Sequence, residues 1–168
     1  MAQEFVQLLN DKNETIGMME KLQAHREGAL HRAVSVFIFN SKGEMLLQQR
    51  AAGKYHSPSL WSNACCTHPQ YDEAPLSAAQ RRLKEEMGIV CLLEHKFDFQ
   101  YRAELGNGLI EHEFDHIYYG YSDDAPQTDL NEVSAWRYLS MPTIEELLQK
   151  KPNEFTIWFQ QLFQQLNK

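Results

Sequence analysis

The stretch Trp61–Gly88, WSNACCTHPQYDEAPLSAAQRRLKEEMG, admits one local architecture: a strand, a loop at His68–Pro69, and a helix. Pro75 suits a first helical turn, where a missing N–H costs nothing, and Gly88 stops the helix. On a strand successive side chains alternate faces, so Cys66 and His68 point one way and Cys65 the other. In the helix Leu76, Ala79, Leu83 and Met87 make an apolar stripe, and Glu86 lies off it with Arg82 one turn back. A thiol, an imidazole and the carboxylates of Glu85 and Glu86 thus collect near the mouth of one strand-loop-helix unit. That gathering marks a site.

At 168 residues the chain is expected to form one domain, 1–168, able to bury about two-thirds of its unfolded surface. A net charge of −7 makes nucleic acid or an anionic membrane a poor partner. An anionic small molecule would need a local basic cluster or a metal to hold it. No apolar run approaches membrane-span length, and the N-terminus lacks a charged-then-apolar signal pattern. Three cysteines, two of them adjacent, do not make a disulfide framework. The expectation is a cytoplasmic protein with reduced thiols, a monomer or a weak homodimer.

Elsewhere the patterning predicts strands at Phe5–Leu9 and Thr15–Met19 around a turn, then a short helix or loop over Lys21–Glu27. Ala33–Asn40 reads as a buried strand, returned through Ser41-Lys42-Gly43 by Glu44–Arg50. A loop follows over Ala51–Leu60. Long strands are expected from Leu92 to Ala103 and from Ile110 to Tyr121, turned at Leu105–Gly108. A further strand at Val133–Leu139 and helices at Pro142–Gln149 and Phe155–Leu166 complete the chain. Hairpins with interspersed helices predict an α+β fold, an α/β/α sandwich on a mixed sheet.

Two carboxylates, Glu111 and Glu113, stand two apart on a strand and share a face. His25 and His31 lie on the N-terminal approach. With His68 they supply three imidazoles and two carboxylates, an N/O donor set suited to Mn²⁺, Mg²⁺ or Zn²⁺. Taken alone, each of these residues reads more readily as a satisfied or surface group. His56, His95, His112 and His116 show that the chain has histidines to spare.

The helix sequence R-R-L-K-E-E-M-G-I, Arg81–Ile89, resembles the Nudix box G-x5-E-x7-R-E-U-x-E-E-x-G-U. Two positions depart from it: Thr67 replaces the first Gly, and Arg82 replaces the first Glu of the helix. A hydrolase needs that Glu for its metals, so the departure argues against hydrolysis. The segment W-S-N-A-C-C-T-H-P is similar instead to the type 1 isopentenyl-diphosphate isomerases, a divergent branch of the same fold. The resemblance runs roughly from Leu8 to Trp158. It implies a Nudix-like fold and conversion of isopentenyl to dimethylallyl diphosphate through a tertiary carbocation. It also implies His25, His31, His68, Glu111 and Glu113 as ligands of one Mn²⁺, Zn²⁺ or Mg²⁺. Glu86 would hold Mg²⁺ with the substrate diphosphate. Lys21, Arg50, Lys54 and Arg82 would face that diphosphate, and Trp158 would turn its π face to the cation. Cys66 and Glu113 would be the proton-transfer pair. The expected order has Glu113, with Tyr101, deliver the proton and the Cys66 thiolate remove one, the roles exchanging in the reverse direction. The alternative is a Nudix-type diphosphate hydrolase.

Overall fold

The computed structural model, which describes residues 3–166 and 168, is built around one central strand. Two short strands, β1 (Phe5–Leu9) and β2 (Thr15–Glu20), form an N-terminal hairpin leading into helix α1 (Lys21–Glu27). The central strand is β3 (His31–Phe39), HRAVSVFIF, buried along nearly its whole length. Such a near-continuous apolar run is what a strand covered on both faces requires. The rest of the sheet comprises β4 (Met45–Arg50), β5 (Trp61–Asn63), β6 (Cys65–Thr67), β7 (Leu93–Gly106), β8 (Leu109–Tyr121) and β9 (Val133–Leu139). Helices α2 (Pro75–Met87), α3 (Met141–Lys150) and α4 (Ile157–Leu166) cover it.

Along one edge β3 runs parallel to β8 from His31↔Glu113 to Phe39↔Tyr121. Its other edge is shared in turn by Leu8 of β1, by Cys65–Thr67 of β6 and by Met45 of β4. Side chains alternate across the sheet. Val34, Val36 and Ile38 pack with Cys65 against Ala78, Ala79, Leu83 and Met87 of α2. Phe37 and Ile117 pack on the opposite side against Trp158, Phe159, Leu162 and Phe163 of α4. The sandwich therefore has helices on both faces of a mixed sheet, as expected. Among the described residues no helix is long and apolar enough to cross a membrane.

Three local expectations need correction. Leu76 is 39% exposed and outside the apolar face of α2, whereas Glu86 is 5% exposed and inside its buried side. The helix approaches the sheet only from Ala78 and Ala79 onward, where small side chains permit close contact, and the buried side then runs through Leu83 to Glu86 and Met87. The strand expected at Trp61 is two strands broken at Ala64, β5 pairing with β4 and β6 with β3. Asn63 seals that switch, its side-chain NH₂ donating to the carbonyls of Val36 and Cys65, each at 3.0 Å. Finally, β7 and β8 run on to a two-residue turn at Asn107 (φ 53°) and Gly108 (φ 72°). Positive φ at both positions is the hairpin geometry that Asn-Gly favours.

Gly88 ends α2 in the left-handed region, φ 65°, and a Cβ there would lie 2.8 Å from the Gln127 carbonyl oxygen. Gly88→Ala is expected to lower stability by about 1–3 kcal/mol, combining left-handed strain with a backbone clash. Urea unfolding at constant slope measures it; an unchanged midpoint would mean that the loop at Gln127 yields freely.

Candidate active site and metal centre

Strand register does most of the assembly. His31 on β3 and Tyr101 on β7 are the two neighbours of Glu113 on β8, one on each side. Two residues along, Glu111 pairs with Ala103 and shares the face of Glu113. His25 reaches the same place from α1. That helix begins at Glu20, whose carboxylate accepts from the N–H groups of Leu22 and Gln23, and ends at Gly28 in the left-handed conformation. His68 enters just beyond β6 on the side of Cys66, as alternation requires.

One nitrogen or oxygen from each of His25, His31, His68 and Glu113 falls within 4.8 Å of the others. His68 Nε2 lies 3.0 Å and His31 Nε2 3.5 Å from Glu113 Oε1, and His25 Nε2 lies 3.9 Å from Glu111 Oε1. His25 Nδ1 sits 2.7 Å from the Lys21 carbonyl and His31 Nδ1 2.8 Å from that of Ala29. A carbonyl only accepts, so each Nδ1 carries the proton and each Nε2 presents a lone pair inward. Both Nε2 atoms and Glu111 Oε2 are buried without a hydrogen-bond partner. Stranded acceptors converging at this spacing are what a metal ion satisfies. The donor set therefore fits a divalent cation.

The electrostatics make the same demand. Burial would raise Glu113, but His31 and His68 overcome it and hold this carboxyl well below the usual range. Glu111 is pushed up by burial and by the charge of Glu113. Burial disfavours charge on His25, yet Glu111, the Lys21 carbonyl and Glu113 together raise it. Burial brings His68 down to about 4 despite Glu113, leaving it neutral.

Cys66, on β6, lies on the same face of the sheet as this cluster and pairs with Ser35 on β3. Its sulfur is 3.2 Å from Asn63 Oδ1 and 3.5 Å from Ser35 Oγ. The NH₂ of Asn63 is committed elsewhere, so it offers the sulfur only an acceptor. Ser35 likewise donates its hydroxyl to Asp115 Oδ2 at 2.6 Å. The single thiol proton goes to Asn63 Oδ1, and the amide of Asn63 has no free N–H to stabilise a thiolate. Burial, aided by Asp115, pushes Cys66 up to about 12. On the far side Tyr101 donates to Glu113 Oε2 at 2.9 Å.

A cavity of about 760 Å³ joins these groups. Cys66, Tyr101, Glu111, Glu113, His68 and Trp158 line it, together with the basic Lys21, Arg50, Lys54 and Arg82 and the carboxylate of Glu86. His25 and His31 stand behind the wall, fully buried. Among the basic residues each lysine already has a carboxylate: Lys21 with Glu4 at 2.7 Å, Lys54 with Glu132. Arg82 meets Glu86 at 2.6 Å, Glu85 at 2.7 Å and Glu132 at 3.4 Å. Gln48 Nε2 donates to the other oxygen of Glu86 at 3.0 Å. Arg50 bonds the carbonyls of His56 and Ser57 and lies 5.2 Å from the Trp158 ring centre. Trp158 is thus a core residue as well as a cavity wall, its indole N–H donating to Ser62 Oγ at 3.0 Å.

All the sequence-derived site residues come together. Sequence reasoning missed Asn63, Ser35 and Asp115 behind Cys66, Glu132 between Lys54 and Arg82, and His56. Asp115 had a legible signal, being the next in-facing residue after Glu111 and Glu113. The others carried none, since their roles depend on strands and loops far apart in the chain. His56, set aside as a spare histidine, stacks on His25 with ring centres 5.7 Å apart.

A NUDIX-domain family model matches residues 29–159. An isopentenyl-diphosphate Delta-isomerase of Pectobacterium atrosepticum is 51% identical over 158 residues, covering 94% of this chain and 88% of that protein. One from Burkholderia multivorans is 50% identical over 152 residues, covering 90% and 86%. Among solved structures, that of DR0079 from Deinococcus radiodurans superposes with a TM-score of 0.83 at 20% identity, covering 98% of this chain and all of that one, a likeness of fold.

Proposed function

Because the chain belongs to the NUDIX-domain family, in its isopentenyl-diphosphate Delta-isomerase branch, we propose that Cys66 and Glu113 are the pair that moves its substrate's protons. The chain isomerises isopentenyl diphosphate to dimethylallyl diphosphate. The reaction adds a proton to the terminal alkene carbon, giving a tertiary carbocation, and removes another from the carbon two bonds away. One acid and one base suffice, and the pair ends each turnover with the proton exchanged. Convergence of Cys66 with Glu113 and Tyr101 on one cavity is the observation that carries this reading.

Whichever of the two holds the proton when substrate arrives is the acid. Burial favours the protonated thiol of Cys66, and His31 and His68 favour the charged form of Glu113. That favours Cys66 as donor to isopentenyl diphosphate and Glu113, steadied by Tyr101, as acceptor. This order is opposite to the one expected from the sequence, which required a resting thiolate. Trp158 and Tyr101 exclude water from the cation, and the indole face favours positive charge.

His25, His31, His68, Glu111 and Glu113 would hold one Mn²⁺, Zn²⁺ or Mg²⁺, which would set the proton affinity of Glu113 and orient it. Glu86 would hold Mg²⁺ together with the diphosphate, whose remaining charge Lys21, Arg50, Lys54 and Arg82 would meet. The hydrolase alternative is disfavoured, because Arg82 stands where the box needs a metal-binding carboxylate and instead salt-bridges Glu86.

The decisive assay follows proton NMR and free phosphate with isopentenyl diphosphate, Mg²⁺ and Mn²⁺ in D₂O. Deuterated dimethylallyl diphosphate without phosphate release is the expected product; phosphate without isomerisation would return the hydrolase. Glu86→Gln is expected to raise the Mg²⁺ concentration for half-maximal rate, and KM with it, by about tenfold or more. An unaltered Mg²⁺ titration would remove Glu86 from the ion's ligands.

A further inference from the structure

We propose that His56 is an additional ligand of the metal centre, joining it on the side of Glu111. The proposal rests on the metal reading of this site and extends its ligand set. A ring nitrogen of His56, one of His25 and a Glu111 oxygen form a second group whose donor atoms lie within 4.8 Å of one another. That group shares His25 with the group of His25, His31, His68 and Glu113. Glu111 falls in the His56 group and not in the group of four, so a centre that uses Glu111 extends towards His56.

Two unsatisfied atoms point to a ligand here. Glu111 Oε2 and His25 Nε2 are both buried without a partner, and their side chains are 6% and 0% exposed. His56 also has an oxygen beside one ring nitrogen, here a hydroxyl that can accept from it and leave the other nitrogen free. Its Nδ1 lies 3.3 Å from Ser57 Oγ, as those of His25 and His31 lie against carbonyl oxygens. An oxygen on one ring nitrogen, with the other left to the metal, is the recurrent pattern of ligating histidines. The ring is also fixed in place, stacked on His25 at 30° and edge-on to Trp158 at 79° with ring centres 5.7 Å apart in both cases. The flanking backbone is tethered too, since Arg50 donates to the carbonyls of His56 and Ser57.

A fourth imidazole makes the centre richer in nitrogen, which favours Mn²⁺, Co²⁺ or Zn²⁺ over Mg²⁺. His56 would therefore help set which ion the site selects.

The test uses the full chain freed of metal, with Co²⁺ and Mn²⁺ as probes, comparing wild type with His56→Phe and His56→Gln. Calorimetric titration is expected to show Co²⁺ and Mn²⁺ affinity reduced by about tenfold or more in both variants. The visible spectrum of bound Co²⁺ should shift with the loss of a nitrogen donor. His56→Gln guards against loss of packing, because it is small enough for the loop and keeps a polar end. Unchanged affinity and an unchanged Co²⁺ spectrum in both variants would overturn the proposal and make His56 a cavity wall, with any effect confined to KM for the substrate. Wild-type protein that binds neither ion would instead overturn the metal reading itself, and this proposal with it.

Discussion

Cys66→Ser is expected to cut isomerisation by about three orders of magnitude, within the range that one proton-transfer group contributes, while leaving fold and metal content intact. The replacement is nearly isosteric, and a hydroxyl can use the same acceptors, Asn63 Oδ1 and Ser35 Oγ, that now face the sulfur. Packing at the start of the loop to His68 is therefore preserved. What changes is the acidity and basicity of the group beside the alkene. A serine hydroxyl neither protonates an alkene nor persists as an anion in a pocket that already pushes a thiol up to about 12. Turnover of isopentenyl diphosphate in D₂O, with metal content determined on the same sample, checks it. Near-normal isomerisation would remove Cys66 from the chemistry and leave Glu113, Tyr101 and Glu111 to be examined as a self-sufficient acid–base set.

Glu113→Gln is expected to damage two properties at once. The carboxylate faces His68 at 3.0 Å and His31 at 3.5 Å through one oxygen and accepts from Tyr101 at 2.9 Å through the other. An amide keeps the shape but loses the charge and presents N–H donors towards one of those partners. Affinity for Mn²⁺ should fall by about 10–100-fold, and turnover by about three orders of magnitude at saturating metal, because the amide does not take up a proton. Loss of metal with turnover restored by excess Mn²⁺ would make Glu113 a ligand without a role in proton transfer. The contrast with Glu86→Gln is informative. That residue sits on α2, paired with Arg82 and Gln48, so its loss should be offset by Mg²⁺.

Much of the site was visible in the chain because it lies on regular elements. Glu111, Glu113 and Asp115 are spaced by two along β8, and Cys66 and His68 by two along the approach to the loop, so strand alternation alone puts each set on one face. The depth of Glu86 was not visible. A hydrophobicity stripe scores a glutamate as outward-facing, and burial here depends on Gln48 from β4 and Arg82 neutralising it. His56 and Glu132 were not visible either. Both lie outside helix and strand, where no periodicity constrains direction, and both matter through partners more than twenty residues away.

By itself the sequence determined the element order apart from the break at Ala64, the sandwich with helices on both faces, and which side chains of each strand share a face. Those follow from local periodicity and from Gly and Pro, which act over a few residues. Tertiary structure alone decided which faces meet. Register put His31 and Tyr101 on either side of Glu113, and the switch of Trp61–Thr67 from β4 to β3 put Asn63 and Ser35 against Cys66. Burial then decided protonation, because whether a thiol, an imidazole or a carboxyl is charged depends on the dielectric and on neighbours contributed by distant segments.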